Sequence, residues 1–318
     1  MNKPYVAGID IGGQTTKLGI VDARGSVLAQ TTIRTDNHTD VNLYIEELNN
    51  ALIKLSARIG STEKIRGIGV GAPNGNYYTG VIDNAVNLVW GGSKAIPFSK
   101  LLKEKSGIPV YLTNDANAAA VGEMTYGAAK GMKNFIMITL GTGVGSGIVI
   151  DGHVVYGHDG FAGELGHTTA VRRNGRICNC GRTGCLETYA SAVGVARTAR
   201  EWLEMSQEPS ILRNYDNITS KDVYNAAKEG DKLSIEIFNY TGKILGEAFA
   251  DFVAFSAPEA IILFGGLARS GNLLLKPIVE HMNENMLFMW KNKVQVLFSN
   301  LKESDAAILG ASALGWDS

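Results

Sequence analysis

Hydrophobic and polar positions along the chain follow two periods, one typical of helices and one typical of buried strands. Over residues 41–59, one apolar helix face is predicted from side chains spaced by three or four positions: Val41, Ile45, Leu48, Leu52, Leu55 and Ile59. Short apolar runs bounded by turn residues predict strands at residues 6–10, 17–22, 27–32, 67–73, 108–115, 260–266 and 294–298. Further helices are predicted at residues 116–129, 233–255, 273–289 and 306–315. Strands and helices therefore alternate, which is typical of an α/β protein.

One strand–turn–strand pattern occurs twice. VAGIDIGGQTTKLGIVD and FIMITLGTGVGSGIVID each place a polar residue at a strand end, then a Gly-rich turn and a second strand. Asp10 lies nine residues before Gly19, and Thr139 lies eight residues before Gly147. The repeat indicates two related halves, each with a hairpin whose turn faces the other half; two unrelated hairpins are the alternative. We expect a first domain of residues 1–115, joined by a C-terminal helix at about 304–318, and a second domain of residues 116–303.

The composition is that of a globular protein without a large net charge. The 318 residues are 45% hydrophobic and 19% charged, with a net charge of −1 and a pI near 6.5. This balance excludes bulk attraction to nucleic acid or to an anionic membrane, and no apolar run reaches the roughly 18 residues of a membrane span. MNKPYVAGID does not resemble a signal peptide, and three cysteines within eight positions suit a reducing compartment. We therefore expect a cytoplasmic protein without nucleic-acid or membrane partners.

Glycine is the outlying residue type, at 38 of 318 residues, near 12% where about 7% is average. In DIGGQTTK and TLGTGVGSG a backbone without Cβ atoms can approach a phosphate closely and point N–H groups at it. Neither segment is a Walker loop, and a plain tight hairpin is the alternative for each. Asp10 lies at a strand end in the first hairpin, and Thr139 and Thr142 lie in the second. This pair of hairpins favours a phosphate clamp between two domains. In FGGLARSG, Gly265 and Gly266 follow a buried strand and could pass close to adenine or ribose.

Asp115 stands at the end of a predicted strand, directly before a predicted helix. A carboxylate at this place is most often a helix cap. It can also be the general base that accepts the proton of an attacking hydroxyl, as kinase chemistry requires. The sequence leaves both roles open.

All three cysteines lie in GELGHTTAVRRNGRICNCGRTGCLE, residues 163–187, together with one histidine. Three thiolates and one imidazole make a tetrahedral zinc shell without an open position, so a structural zinc is predicted; free or redox-active thiols are the alternative. The candidate ligands are His167, Cys178, Cys180 and Cys185. A metal would also hold Glu164 and Glu187 rigidly on either side of the loop, where they could accept hydrogen bonds from the hydroxyls of a sugar.

A resemblance to the ROK (repressor, open reading frame, kinase) family of sugar kinases is carried by six segments, in this order: DIGGQTTKLGIVD, NDANAAAVGE, TLGTGVGSGIVIDG, GHDGFAGELGHTT, CNCGRTGCLE and FGGLARSG. The resemblance is closest to the zinc-containing bacterial glucokinases of that family. It covers nearly the whole chain, and its most specific part is G-x-x-G-x-A-G-E-x-G-H followed by C-x-C-G-x-x-G-C-x-E. It implies the actin/hexokinase-like fold, with two ribonuclease-H-like α/β domains and the active site in the cleft between them.

The same resemblance implies a role for each matching residue. Asp115 would be the base that deprotonates the sugar. The residues that would contact the sugar are Asn87, Asn114, Glu164, His167 and Glu187. Those that would lie at ATP, with Mg²⁺ bridging the phosphates, are Asp10, Gly12, Gly13, Gln14, Thr15, Lys17, Thr139, Gly141, Thr142, Gly143, Gly265 and Gly266. The chain departs from the family at Gln14, which replaces a threonine, and at Val86, which replaces a proline.

The implied activity is transfer of the γ-phosphate of ATP to the 6-hydroxyl of glucose or a related hexose, in a homodimer or higher homo-oligomer. Kinases of N-acetylmannosamine, N-acetylglucosamine or fructose are alternatives, because the shape around the sugar 2-position decides between them. A sugar-responsive transcriptional repressor would need a DNA-binding segment ahead of the sugar domain, and a strand that begins by residue 6 leaves no room for one. We therefore expect a sugar kinase that uses ATP, Mg²⁺ and a structural Zn²⁺.

Overall fold

The structure is a computed structural model that describes residues 3–317. These residues form twelve strands and nine helices. The strands are β1 Tyr5–Ile11, β2 Thr15–Asp22, β3 Val27–Arg34, β4 Ile65–Gly71, β5 Ile82–Asp83, β6 Ala95–Ile96, β7 Val110–Thr113, β8 Phe135–Leu140, β9 Val144–Ile150, β10 His153–Val154, β11 Ala260–Phe264 and β12 Gln295–Phe298. The helices are α1 Val41–Ser56, α2 Phe98–Ser106, α3 Asp115–Tyr126, α4 Glu187–Ala190, α5 Ala192–Met205, α6 Ser220–Lys228, α7 Lys232–Ser256, α8 Asn272–Asn285 and α9 Glu303–Leu314. Residues 1, 2 and 318, at the outer ends of the predicted domains, lie outside the described residues.

Ten of the strands in residues 3–317 form two five-stranded sheets with the same strand order, and β5 pairs with β6. In the first, β3-β2-β1-β4-β7, the strands β1, β2 and β3 are antiparallel neighbours, and β1, β4 and β7 run parallel. In the second, β10-β9-β8-β11-β12, β9 is antiparallel to β10, and β8, β11 and β12 run parallel. The repeated sequence pattern therefore corresponds to a repeated strand topology, with a Gly-rich turn after the central strand of each sheet.

The predicted elements have counterparts in the structure, with ends that differ by a few residues. The first predicted helix ends at Ser56 instead of residue 59. Ile59 is buried like the other apolar residues of the stripe, but it lies in the turn that follows the helix. The strand predicted at residues 108–115 is shorter, Val110–Thr113, because Asn114 already caps the next helix. Helices α2, α4, α5 and α6 were not predicted. In α2 only Phe98 and Leu102 are buried, which is too short a stripe to detect among lysines and glutamates.

Contacts along the chain divide it into two units. The first consists of Met1–Met132, Gly147–Gly163 and Asn300–Ser318, and the second of Lys133–Ser146 and Glu164–Ser299. The domain boundary predicted at residue 115 falls at the first residue of α3, whereas the contacts keep the whole of α3 in the first unit. Among residues 3–317, no helix is long and apolar enough to cross a membrane.

Within the first unit, glycines let α9 lie directly on one face of the sheet. A Cβ on Gly8 of β1 would clash with Ile308 O, and a Cβ on Gly69 of β4 would clash with Ala311 O. Alternate residues of β1 point to the other face, where Ile9 packs into a core with side chains of α1. The sheet is thus covered on both faces, and the ends of its parallel strands are held in a fixed register.

Candidate active site and metal centre

The first Gly-rich turn connects β1 to β2 and is closed by a backbone hydrogen bond. Gly12 N–H donates to Thr15 O at 3.0 Å. A Cβ on Gly13 would lie 3.0 Å from Asn87 O, so the missing side chain lets the loop that carries Asn87 pack against the turn. The side chain of Asn87 itself is exposed. Two of the predicted site regions, the turn and this loop, therefore meet within the first unit.

Thr16, which the sequence reasoning missed, anchors this turn. Its hydroxyl is fully buried and lies 2.6 Å from Tyr44 Oη and 2.8 Å from Thr35 Oγ1. Gln14 O accepts a hydrogen bond from Thr35 N–H at 2.9 Å, while the side chains of Gln14 and Thr15 are exposed. A hydroxyl at an inward position of an apolar strand was the available signal. The departure from the family at position 14 therefore affects an exposed side chain on a well-anchored backbone.

Asp10 and Asp115 lie close together at the ends of parallel strands. The sheet register pairs Asp10 with Gly71, and Gly71 with Thr113. A Cβ on Gly71 would lie 4.0 Å from Asp10 Oδ1 and 3.7 Å from Asp115 Cα. Burial, followed by the charge of Asp115, raises the pKa of Asp10 from 3.8 to about 6, and Lys17 acts in the opposite direction. The carboxyl ends of parallel strands are where α/β sheets place their ligands.

Asn114 is the residue that caps α3. Its Oδ1 accepts a hydrogen bond from Asn117 N–H at 2.7 Å. Asp115 is the first helical residue, its Oδ1 accepts from Ala116 N–H at 2.9 Å, and its side chain is exposed. The capping role that the sequence left open for Asp115 therefore belongs mainly to its neighbour.

The second Gly-rich turn connects β8 to β9. Gly141 N–H donates to Gly143 O at 3.0 Å, and Gly145 N–H donates to Thr139 Oγ1 at 3.1 Å. Thr142 is exposed at the tip of the turn. The Thr139 side chain thus holds the turn in shape, which adds a structural role to its predicted position at a phosphate.

Gly265 and Gly266 follow the strand next to this turn. In the parallel register Phe264 of β11 pairs with Thr139 of β8. Gly265 has φ +101°, where a side chain is strained, and a Cβ there would lie 2.6 Å from Leu140 O. The glycine therefore permits both the turn and the close approach of the two strand ends.

Glu187 lies against the second turn, a contact that the sequence did not indicate. Its Oε2 accepts a hydrogen bond from Val144 N–H at 3.0 Å, and a Cβ on Gly143 would clash with the same oxygen. Its Oε1 lies 3.7 Å from Cys178 Sγ. One carboxylate thus touches both the turn and the cysteine cluster, although its partners lie 43 and 9 residues away in the chain.

The cysteines and the histidine form one cluster. The ligand atoms of His167, Cys178, Cys180 and Cys185 all lie within 4.8 Å of one another. Cys180 Sγ and Cys185 Sγ are 3.7 Å apart, as are Cys178 Sγ and His167 Nδ1. Zn–S bonds of about 2.3 Å in a tetrahedron would put two sulfurs about 3.8 Å apart. The donor set and its spacing are therefore compatible with zinc.

His167 directs Nδ1 at the thiols from a 3₁₀ turn, Leu165–His167. A metal bound through Nδ1 leaves Nε2 for another partner, so one imidazole can serve both predicted roles. Glu164 stands directly before this turn, where its carbonyl accepts from His167 N–H at 3.1 Å. The Glu164 side chain is exposed.

The protonation of the thiols depends on their burial. Burial raises the pKa of Cys178 and of Cys185, whereas the backbone N–H of Arg182 lowers the pKa of the exposed Cys180. A metal that binds thiolates must displace the protons of the two buried thiols. Metal affinity is therefore expected to fall as the pH falls.

Arg176, also missed by the sequence reasoning, ties the metal loop to α5. It is only 8% exposed, and its guanidinium donates to Glu201 Oε2 at 2.5 Å, to Thr188 O at 2.8 Å and to Thr198 Oγ1 at 2.9 Å. Its Cζ also lies 4.5 Å from the ring centre of Tyr189. The segment RRNGR contains three arginines that look alike in sequence, so only the fold shows which one is buried.

Comparison with known proteins shows that the chain belongs to the ROK family, whose model matches residues 6–317. A glucokinase of Halalkalibacterium halodurans is 38% identical over 99% of this chain and 95% of its own length. A xylose repressor of Caldicellulosiruptor bescii is 29% identical over 97% of this chain and 77% of its own length. The crystal structure of a ROK family glucokinase from Streptomyces griseus, in complex with glucose and AMPPNP, has 30% identity and a TM-score of 0.79 over 99% of this chain and 100% of that chain. The predicted family and the actin/hexokinase-like fold are confirmed.

Proposed function

We propose that this protein is an ATP-dependent sugar kinase that transfers the γ-phosphate of ATP to the 6-hydroxyl of glucose. The observation that carries this proposal is the 38% identity with a glucokinase over 99% of the chain. The site has the parts that phosphoryl transfer needs: carboxylates at parallel strand ends, and Gly-rich turns with accessible backbone N–H groups.

Asp115 is the proposed general base. Its carboxylate is exposed at the start of α3, where a hydroxyl can reach it, and Asn114 supplies the main helix cap. Asp10 has a pKa of about 6 and is therefore mostly ionised at neutral pH. It is the carboxylate proposed to lie near Mg²⁺, which when bound neutralises phosphate charge.

The remaining site residues are proposed to bind the two substrates. The nucleotide set is Gly12, Gly13, Gln14, Thr15 and Lys17 of the first turn, Thr139, Gly141, Thr142 and Gly143 of the second, and Gly265 and Gly266 at the adenosine. The sugar set is Asn87, Asn114, Glu164, His167 through Nε2, and Glu187. Their task is to align the 6-hydroxyl with the γ-phosphorus while Asp115 accepts the proton, so the rate depends mainly on positioning and electrostatics.

The cluster of three cysteines and His167 is proposed to bind one structural Zn²⁺. Because all four ligands come from the protein, no position is left for substrate or water. When bound, the ion supplies rigidity: it fixes the ring of His167 and the loop segments that end in Glu164 and Glu187.

A sugar-responsive repressor is the second candidate, because a xylose repressor matches at 29% identity. The kinase is favoured, since the glucokinase has the higher identity and is matched over 95% of its length, against 77% for the repressor.

A screen for ADP release with ATP and Mg²⁺ separates the kinase from the repressor. It should include glucose, mannose, fructose, N-acetylglucosamine and N-acetylmannosamine. We expect the highest kcat/KM with glucose; the absence of sugar-dependent ADP release would exclude the kinase, and a preference for another sugar would correct the substrate.

Replacing Asp115 tests the proposed base directly. Asp115→Ala should lower kcat by about 10²–10⁴-fold, since that is the usual contribution of a general base, while glucose binding measured by calorimetry persists. Asp216→Ala removes an exposed aspartate elsewhere and serves as the control. An Asp115→Ala enzyme with wild-type kcat would refute the assignment.

Zinc is tested by metal analysis of the purified protein and of Cys180→Ser, which changes the one exposed ligand. We expect one zinc per chain in the wild type, less in the variant, and weaker glucose binding where zinc is lost. Unchanged glucose affinity in a protein shown to be free of zinc would contradict the proposed role.

A cytoplasmic location is proposed as well, because thiolate ligands persist in a reducing compartment. The homodimer or higher oligomer implied by the family can be measured by light scattering.

A further inference from the structure

We propose that Glu187 is a positioning residue that couples the metal loop to the nucleotide turn, so that metal occupancy controls the affinity for ATP. The inference rests on the proposed function, in which the turn between β8 and β9 binds nucleotide. It assigns to Glu187 an effect on the phosphoryl donor, beyond its proposed contact with the sugar.

The contact between the carboxylate and the turn is short and specific. Glu187 Oε2 accepts from Val144 N–H at 3.0 Å, in the first residue of β9. There is no room for a side chain between them, since a Cβ on Gly143 would clash with the same oxygen. A hydrogen bond from a backbone N–H to a carboxylate is charge-assisted and roughly twice as strong as one between neutral groups. The carboxylate therefore fixes the orientation of the peptide that follows the turn.

The other end of the metal loop contacts β9 at the same place, directly after the turn. Leu165 N–H donates to Ser146 Oγ at 3.0 Å, and a Cβ on Gly166 would clash with Val144 O. Leu165 and Gly166 directly precede His167, a candidate ligand of the cluster. Val144, the first residue after the turn, is thus contacted both by a residue just before the first metal ligand and by the residue that closely follows the last.

The metal ligands hold both of these flanking segments. Cys185 lies two residues before Glu187, and Cys178 Sγ lies 3.7 Å from Glu187 Oε1. Four bonds to one ion would fix the separation of His167 from the two cysteines, and with it the separation of the two contacts on the turn. Without the ion these segments keep the backbone hydrogen bond from Leu186 N–H to Thr168 O and the bridge between Thr169 and Cys185. They lose the bonds that hold the side chains of the four ligands together, so the residues after the turn should lose part of their preorganisation.

The test measures nucleotide affinity without turnover. AMPPNP with Mg²⁺ is titrated into the full-length protein by calorimetry in the absence of sugar, for zinc-loaded and zinc-depleted samples. We expect the Kd to rise about tenfold on zinc removal, and about tenfold in zinc-loaded Glu187→Ala, equivalent to about 1.4 kcal/mol in each case. Glu187→Gln keeps a side-chain carbonyl that can accept from Val144 N–H, so its Kd should stay within about threefold of the wild type. Glu204→Ala, an exposed glutamate near the end of α5, is the matched control and should not change the Kd.

Coupling is shown by the combination of both changes. If zinc acts through Glu187, removing zinc from Glu187→Ala should weaken AMPPNP binding by much less than a further tenfold. Equal AMPPNP affinity with and without zinc in the wild type would overturn the inference, and so would two independent tenfold losses. If Glu187→Ala does not fold by circular dichroism, the comparison of loaded and depleted wild type with Glu187→Gln decides the question. Failure of the proposed function looks different: the zinc-loaded wild type would bind no AMPPNP and release no ADP with any sugar.

Discussion

Replacing Asp10 by asparagine should stabilise the protein while reducing its activity. Burial and the nearby charge of Asp115 raise the pKa of Asp10 from 3.8 to about 6. The folded protein therefore binds the proton of Asp10 more tightly than the unfolded chain does. Above pH 6 the ionised carboxylate disfavours the folded state, and this penalty disappears as the pH falls through 6 towards 3.8. The side-chain amide of the Asp10→Asn variant cannot ionise and carries no such penalty.

The size of the effect follows from the pKa. A rise in the pKa of Asp10 from 3.8 to about 6 lowers the free energy of unfolding by about 3 kcal/mol at high pH, because each pKa unit corresponds to about 1.4 kcal/mol. By the same relation about half of that penalty, roughly 1.6 kcal/mol, is present at pH 5. The difference in unfolding free energy between Asp10→Asn and the wild type should thus grow by about 1.4 kcal/mol between pH 5 and pH 8.

Urea unfolding of both proteins at pH 5, 6, 7 and 8 measures this difference, provided that the two proteins share one m-value. Asp216→Asn, which removes an exposed carboxylate, should show no comparable trend. In Asp115→Asn the pKa of Asp10 should fall, because one of the causes of its elevation is gone, and the trend should shrink. If the difference in unfolding free energy between Asp10→Asn and the wild type stays constant from pH 5 to pH 8, the ionised Asp10 carboxylate does not destabilise the folded state. The expected loss of sugar-dependent ADP release in the more stable variant is the signature of a group kept for function at the expense of stability.

Three further predictions concern the metal loop. Arg176→Met should lower the free energy of unfolding by about 2–4 kcal/mol, measured by urea denaturation, because it removes the buried donor that binds Glu201 and leaves several acceptors unpaired; an unchanged midpoint would contradict this. Gly184→Ala should reduce bound zinc, measured by metal analysis, because Gly184 has φ +77° and a Cβ there would clash with Val171 O; full zinc occupancy would show that the loop can adjust. Zinc should dissociate more readily as the pH is lowered from 8 to 6, because protons compete for the buried thiols, whose pKa values are raised by burial; a chelator titration that gives the same zinc affinity at both pH values would refute this.

Local features of the site were predictable from the sequence because they depend on local chemistry. An apolar run followed by glycines indicates a strand that ends in a tight turn, and both Gly-rich turns lie where this rule puts them. The cysteine spacing likewise predicted the cluster, since short intervals with flanking glycines leave the ligands few ways to lie apart. Strand order was not predictable in the same way. It took the structure to pair Asp10 with Gly71 and so bring Asp10 next to Asp115.

Long-range polar contacts could not be predicted, because the residues that make them carry no local signal. Glu187 and Val144 are 43 residues apart, and a glutamate at the start of a helix is unremarkable. Arg176 resembles the two arginines before it, yet it alone is buried against α5. Thr16 could have been noticed as a hydroxyl at an inward strand position, but its partner Tyr44 lies 28 residues away.

These long-range contacts determine what the loss of metal should do. The loop between Glu164 and Glu187 has little regular structure of its own: a single 3₁₀ turn and two isolated bridges, Thr169 with Cys185 and Ile177 with Thr183, are its regular elements among the described residues. Its position therefore depends on cross-links, and Arg176 provides one that needs no metal. Zinc removal should accordingly leave the protein folded, unlike a small zinc domain that unfolds without its ion. What the metal adds is the fixed spacing of the two segments that contact Val144, directly after the nucleotide turn. Its loss should therefore weaken ligand binding far more than it lowers the free energy of unfolding.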